Sequence, residues 1–101
     1  MKRYSIVVTK AARDDLDDIV DYLTTEAPDY VNRIAGEIQT AIHSLDHLPE
    51  RFEKAGVSRK RDMVVHRMVV DPYLVYYRIE SDTVFITRIR HGVRRPLKRY
   101  D

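Results

Sequence analysis

Apolar side chains recur along this chain with two different periods, and each change of period marks a change of element. Residues 4–9, YSIVVT, form a β-branched run that predicts a short strand. The spacing then lengthens. Ala12, Leu16, Ile19, Val20 and Leu23 follow the i, i+3, i+4, i+7 rule of an amphipathic helix, and Thr9 stands where its N-cap belongs. Asp14, Asp15, Asp17, Asp18 and Asp21 fall mostly on the opposite face, near the positive end of the helix dipole. Ala27-Pro28 breaks the pattern and restarts it, because proline suits the first helical position. Val31, Ile34, Ala35, Ile38, Ala41, Ile42, Leu45 and Leu48 then make one stripe, which predicts a second helix of about five turns ending before Pro49. So short a link between two helices implies an antiparallel hairpin.

The sequence ERFEKAGVSRKR, residues 50–61, shows neither period and reads as a polar loop with a basic end. Beyond it the period is two. MVVHRMVV (63–70), YLVYYRI (73–79) and TVFITRIRH (83–91) predict three strands, joined by tight turns at Asp71-Pro72 and Glu80-Ser81-Asp82. Short turns demand antiparallel neighbours. The predicted order is therefore β-α-α-β-β-β: an α+β fold in which a helical hairpin packs on one face of a small, antiparallel-rich sheet. Strict alternation puts Met63, Val65, Arg67 and Val69 opposite Val64, His66, Met68 and Val70. It likewise separates Val84, Ile86, Arg88 and Arg90 from Phe85, Thr87, Ile89 and His91. Neither face comes out cleanly polar.

A chain of 101 residues holds one core, so residues 1–101 are expected to form one domain, with residues 92–101 as a basic C-terminal tail. No stretch approaches the roughly 20 apolar residues needed to span a bilayer, and Asp14 and Asp15 interrupt the N-terminus too early for a secretory apolar run. With no cysteine, disulfides and thiolate metal sites are excluded. The expectation is a soluble cytoplasmic protein with no membrane role. Net charge is only +2, but it is unevenly placed. Residues 1–50 carry five Lys or Arg against ten Asp or Glu (−5), and residues 51–101 carry thirteen against six (+7). Such polarity suggests one acidic and one basic surface, the latter suited to an anionic partner.

The basic character peaks in RIRHGVRRPLKRY, residues 88–100. His43 and His47 have the spacing of a metal pair but no evident third ligand, and the five aspartates of the first helix point in several directions, so no metal is expected. Glycines 36, 56 and 92 stand in unrelated contexts, so no nucleotide-binding loop and no cofactor are expected.

The order of elements and three stretches together resemble the RelE/ParE toxin superfamily of bacterial type II toxin–antitoxin modules. The opening YSIVVTKAARDDLDDIVDYL is similar to that superfamily's first strand and its A-x-x-D-L-x-x-I-x-x-Y helix, here Ala12, Asp15, Leu16, Ile19 and Tyr22. PYLVYYRIESDTVFI resembles its paired central strands, with Tyr73, Val75, Tyr77 and Arg78 in the characteristic places. ITRIRHGVRRP resembles the ParE branch, whose last strand runs into H-G-x-R, here His91, Gly92 and Arg94.

The resemblance implies a toxin silenced by a cognate antitoxin, and two classes of target. A ParE-like toxin would bind DNA gyrase and trap its cleaved-DNA complex without chemistry of its own. Arg88, Arg90, His91, Arg94 and Arg95 are then the expected contacts. A RelE-like toxin would instead cleave messenger RNA on the ribosome. That reaction needs an acid, a base and cations at the phosphorane, for which His91, Arg67, Arg90 and Tyr100 are the candidates. One histidine without a well-placed glutamate leaves the acid–base pair incomplete, which favours the binding mode. A toxin that has lost its toxicity is a third possibility. The antitoxin is expected on the helical hairpin, at Leu16, Val20, Leu23, Ile34 and Ile38, and at the basic edge of the sheet.

Overall fold

The computed structural model describes residues 2–92 and Tyr100. Strand β1 (Ser5–Val8) leads into helix α1 (Lys10–Glu26), and a 3-10 turn at Pro28–Tyr30 starts helix α2 (Val31–His43). Four strands follow: β2 (Glu53–Ser58), β3 (Met63–Val70), β4 (Tyr73–Glu80) and β5 (Thr83–His91). They form one sheet in the order β1-β5-β4-β3-β2, with β1 parallel to β5 and every other pair antiparallel. The α+β class, the helical hairpin and the antiparallel meander are as the sequence predicts.

Local chemistry explains how α1 begins. Thr9 has extended backbone angles, and its hydroxyl accepts a hydrogen bond from the Ala12 N–H, which satisfies one of the helix's orphan donors. The same hydroxyl donates to the Ile86 carbonyl, so the cap also ties the helix to β5. No acidic residue lies in the first turn; Asp14 pairs with Lys10 one turn back instead.

Two elements differ from expectation. The predicted loop at 50–61 contains β2, an edge strand paired with β3 and interrupted by a register shift between Lys54 and Gly56. Its six residues, EKAGVS, lack an apolar alternation because only one of the strand's edges and little of its surface are buried. The second helix is shorter than its stripe. It gives way after His43 to a 3-10 turn at Ser44–Asp46, with Leu45 still buried but Leu48 60% exposed in a left-handed conformation. A 3-10 turn keeps residues i and i+3 on one side, so the stripe outlasts the α-helix by one leucine. Arg51 closes this end by donating to the carbonyls of Ser44, His47 and Leu48.

The core lies between the helices and one face of the sheet: Ala12, Ile38, Ile42 and Leu45 meet Met68, Val75, Tyr77, Val84, Ile86 and Ile89. Tyr77 is fully buried. Its hydroxyl donates to the Pro49 carbonyl, its ring stacks on His66, and burial pushes its pKa up to about 12. Val65 and Tyr76 are equally buried yet stand outside this cluster, on the opposite face of the sheet. Among the described residues, no helix is long and apolar enough to cross a membrane.

Candidate functional site

The C-terminal half of β5 is where the basic residues concentrate, and a single bulge decides how they point. Tyr76 pairs with Arg88 but Tyr77 pairs with Ile86, so Thr87 is an extra residue on β5. Its hydroxyl donates to the Tyr76 carbonyl. The bulge inverts the alternation. Ile89 and His91 join Val84 and Ile86 on the helix side, while Arg88 and Arg90 turn to the open face with Phe85. The strict alternation expected from sequence fails at this one residue, and with it the grouping of Arg88 and Arg90 with Ile86.

β1 accompanies β5 only as far as Ile86, so the edge of β5 beyond that point faces α1. Asp15 fills the place of the missing strand. One of its carboxylate oxygens accepts from the Ile89 N–H at 2.9 Å and from Arg88 Nε at 2.8 Å; the other accepts from Arg88 Nη2 at 3.0 Å. Hydrogen bonding to Asp15 raises the Arg88 pKa above its ordinary value. Arg90 also leans toward Asp15, its Nη1 4.0 Å away, and its buried Nε has no hydrogen-bond partner among the described residues. The sequence reading set most of the α1 aspartates on the outer face; Asp15 is instead buried.

Beside this pair lies a pocket of about 160 Å³, lined by Asp15, Asp18, Ile19, Tyr22, Tyr73, Ile89, Arg90 and His91. His91 stands edge-on to the Tyr73 ring, with centroids 5.5 Å apart. The pocket combines apolar walls with both signs of charge.

A second cluster occupies the open face. Arg67 donates to Glu53 through Nε (2.8 Å) and Nη2 (2.7 Å), and it lies opposite Tyr76 in the β3–β4 register. Bonding to Glu53 first, and to the Tyr76 hydroxyl after it, raises the Arg67 pKa although burial opposes this. Tyr100 completes the group, its ring 5.9 Å from that of Tyr76 and pressed against Gly56 of β2. A Cβ at position 56 would overlap the Tyr100 ring, so the ring can lie this close only because the residue is glycine.

The structure therefore divides the residues expected to act together. Arg67 and Tyr100 share the open face. His91 is on the helix side, and Arg90 wraps the edge between them. Arg94 and Arg95 lie outside the described residues. The stripe expected to receive an antitoxin is largely spent on the fold: Ile38 is fully buried, Leu23 nearly so, and Leu16 and Ile34 pack against the core. Val20 is half-buried. His43 ends α2 while His47 lies beyond it with Nδ1 2.9 Å from Asp46, so the two do not share one helix. Among the described residues, no group of three or more potential ligands is placed to hold a metal ion. Sequence reasoning missed Asp15 as a member of the site. The signal was present, because Ala12, Asp15 and Ile19 share the i, i+3, i+7 spacing.

This fold and its arginine-bearing last strand define a toxin of the RelE/ParE type. The model for the ParE toxin of the parDE type II toxin–antitoxin system matches residues 6–96, and the chain belongs to that family. It is 37% identical over 89 residues to Toxin RelE2 of Caulobacter vibrioides, covering 88% of this chain and 96% of the relative. Putative toxin Y4kP of Sinorhizobium fredii is 30% identical over 87 residues, covering 86% and 88%. Among solved structures, the chromosomal ParDE toxin–antitoxin system of P. aeruginosa superposes with a TM-score of 0.69 at 20% identity, over 88% of this chain and 96% of that one, which speaks for the fold. The RelBE2 toxin–antitoxin complex of Mycobacterium tuberculosis superposes with a TM-score of 0.61 at 25% identity, over 90% and 93%.

Proposed function

We propose that this toxin acts in the cytoplasm by binding, as an inhibitor of DNA gyrase that holds the enzyme on cleaved DNA, and that a cognate antitoxin silences it. The observation that supports this reading is the separation of the would-be nuclease set. His91 faces the helices beside Tyr73, whereas Arg67 and Tyr100 sit on the other side of the sheet. A general acid–base pair must reach the same phosphodiester, and groups on opposite faces do not. The end of β5 needs no such convergence to serve as a docking surface. Arg88, Arg90 and His91, continued by Arg94 and Arg95, are the contacts proposed for the target.

The antitoxin would take the ground beside them. The pocket beneath α1 offers Ile19, Tyr22, Tyr73 and Ile89 to an apolar side chain and Arg90 and His91 to an acidic one, which suits an amphipathic acidic segment. The ribonuclease alternative rests on the relatives named RelE and on the Arg67–Tyr76–Tyr100 cluster, which joins a cation to two aromatic rings on an open sheet.

Brief expression in a bacterial host separates the two. Gyrase-linked chromosome breaks with intact messages are expected. Cuts in translated messages, mapped by primer extension and confined to codons, would overturn the gyrase reading.

A further inference from the structure

The connection between β2 and β3 carries a cationic cluster outside both sets of residues considered above. Arg59, Lys60 and Arg61 are consecutive and exposed at the tip of this ribbon, and Lys54 is exposed on β2 below them. Elsewhere the cations are mostly engaged with carboxylates: Lys2 with Asp82, Arg3 with Asp46, Lys10 with Asp14, Arg67 with Glu53, Arg78 with Glu80 and Arg88 with Asp15. Among the described residues, no carboxylate pairs with Lys54, Arg59 or Arg61. Asp62 follows directly and is exposed as well, so the tip carries three consecutive cations beside one carboxylate.

Topology places this tip far from the β5 arginines. β2 is three strands from β5, roughly 14 Å across the sheet. The β2–β3 turn also lies at the end of the sheet where β5 begins, opposite His91. β2 makes its substantial contacts with β3 alone, so the ribbon stands clear of the helices. Val57 and Val64 pair across it and are 54% and 39% exposed, an apolar face beside the cations. Tyr100 rests on Gly56 at its base, on the opposite face of the ribbon from these two valines.

The geometry points to the β2–β3 ribbon as a duplex-DNA contact, with Arg59 and Arg61 binding backbone phosphates and Val57 and Val64 meeting the groove wall. A two-stranded ribbon fits the major groove of B-form DNA, about 12 Å wide, and thymine methyl groups there accept apolar contact. The major groove of A-form RNA is too deep and narrow to admit it. The phosphate contacts would supply a sequence-independent electrostatic grip, to which the valines add apolar contact in the groove.

The test uses the purified full-length toxin and a labelled DNA duplex of about 25 base pairs, followed by fluorescence anisotropy from about 50 to 200 mM salt. The double variant Arg59→Gln/Arg61→Gln should weaken binding about ten-fold or more and lower the slope of log K against log salt by about 2. Arg59→Lys/Arg61→Lys should retain most of the affinity, because phosphate binding reads charge. Arg13→Gln/Arg33→Gln removes the same charge from the helices and should change the slope little. Equal losses from the two Gln pairs would reduce the effect to net charge and overturn the proposal. So would an RNA duplex or a single strand that binds as tightly with the same sensitivity. No topoisomerase is present in this assay, so the proposal and the gyrase reading stand or fall separately.

Discussion

Asp15 receives three donors from two consecutive residues of β5, and its removal should be felt beyond its own site. The carboxylate is buried while Arg88 is about a third exposed, so solvent screens part of the attraction. Asp15→Asn keeps a hydrogen-bond acceptor for the Ile89 N–H but leaves the guanidinium without its counter-charge. A loss of about 1–3 kcal/mol is expected, read as a fall of roughly 5–15 °C in Tm. Asp15→Asn with Arg88→Gln should cost less than the two single losses added, and strict additivity would show that the pair is not coupled. Tyr77 offers a pH test. Its pKa is raised from 10 to about 12 by burial. A raised folded-state value means a contribution fully present below pH 10 and lost as pH climbs toward 12. The linkage is worth about 3 kcal/mol. At neutral pH, Tyr77→Phe should cost about 1–3 kcal/mol, since it leaves the Pro49 carbonyl without its donor. Above pH 10 the gap between parent and variant in denaturant melts should close, and a constant gap from pH 8 to 12 would show that the hydroxyl ionises freely.

At the level of elements, the readable parts of the chain were those with a repeated signal. The α1 stripe and its Thr9 cap, the meander and its turns all rest on several residues agreeing with one another. The misread parts lack such a repeated signal. Thr87 adds a bulge to β5 that no local pattern announces, because threonine is an ordinary strand residue. β2 has no alternation to detect; its strand character comes from pairing with β3, and the Tyr100 ring lies on its Gly56. That contact makes a prediction. Gly56→Ala puts a methyl group where the ring lies, so the ring must leave, and Tyr76 and Val65 gain exposure. A Tm drop of several degrees is expected for Gly56→Ala and for Tyr100→Ala alone. The double variant should be no worse than Tyr100→Ala, because the alanine methyl then has nothing to displace. Fully additive losses would mean that Gly56 matters for strand geometry rather than for the aromatic contact.

Across the whole molecule, charge organises what the fold leaves exposed. The acidic first half supplies the outer face of α1, and the basic second half is split by the sheet between the β5 end beside α1 and the β2–β3 tip. The sequence showed the polarity but not the split, because residues 59–61 and 88–91 read as parts of one basic half until the strand order β1-β5-β4-β3-β2 sets them three strands apart. If one pole holds the topoisomerase and the other its DNA, the two functions should separate by mutation. Arg90→Ala with His91→Ala should abolish gyrase-dependent DNA cleavage in a purified assay and leave duplex binding by the toxin alone within about two-fold. Arg59→Gln with Arg61→Gln should lower duplex binding and raise the toxin concentration needed for half-maximal cleavage without lowering its plateau, since the topoisomerase itself still delivers the DNA. A β5 variant that loses duplex binding to the same degree as the tip variant would merge the poles into one surface. The Arg88–Asp15 pair would then be the hinge by which α1 supports it, and Asp15→Asn should weaken both readouts together.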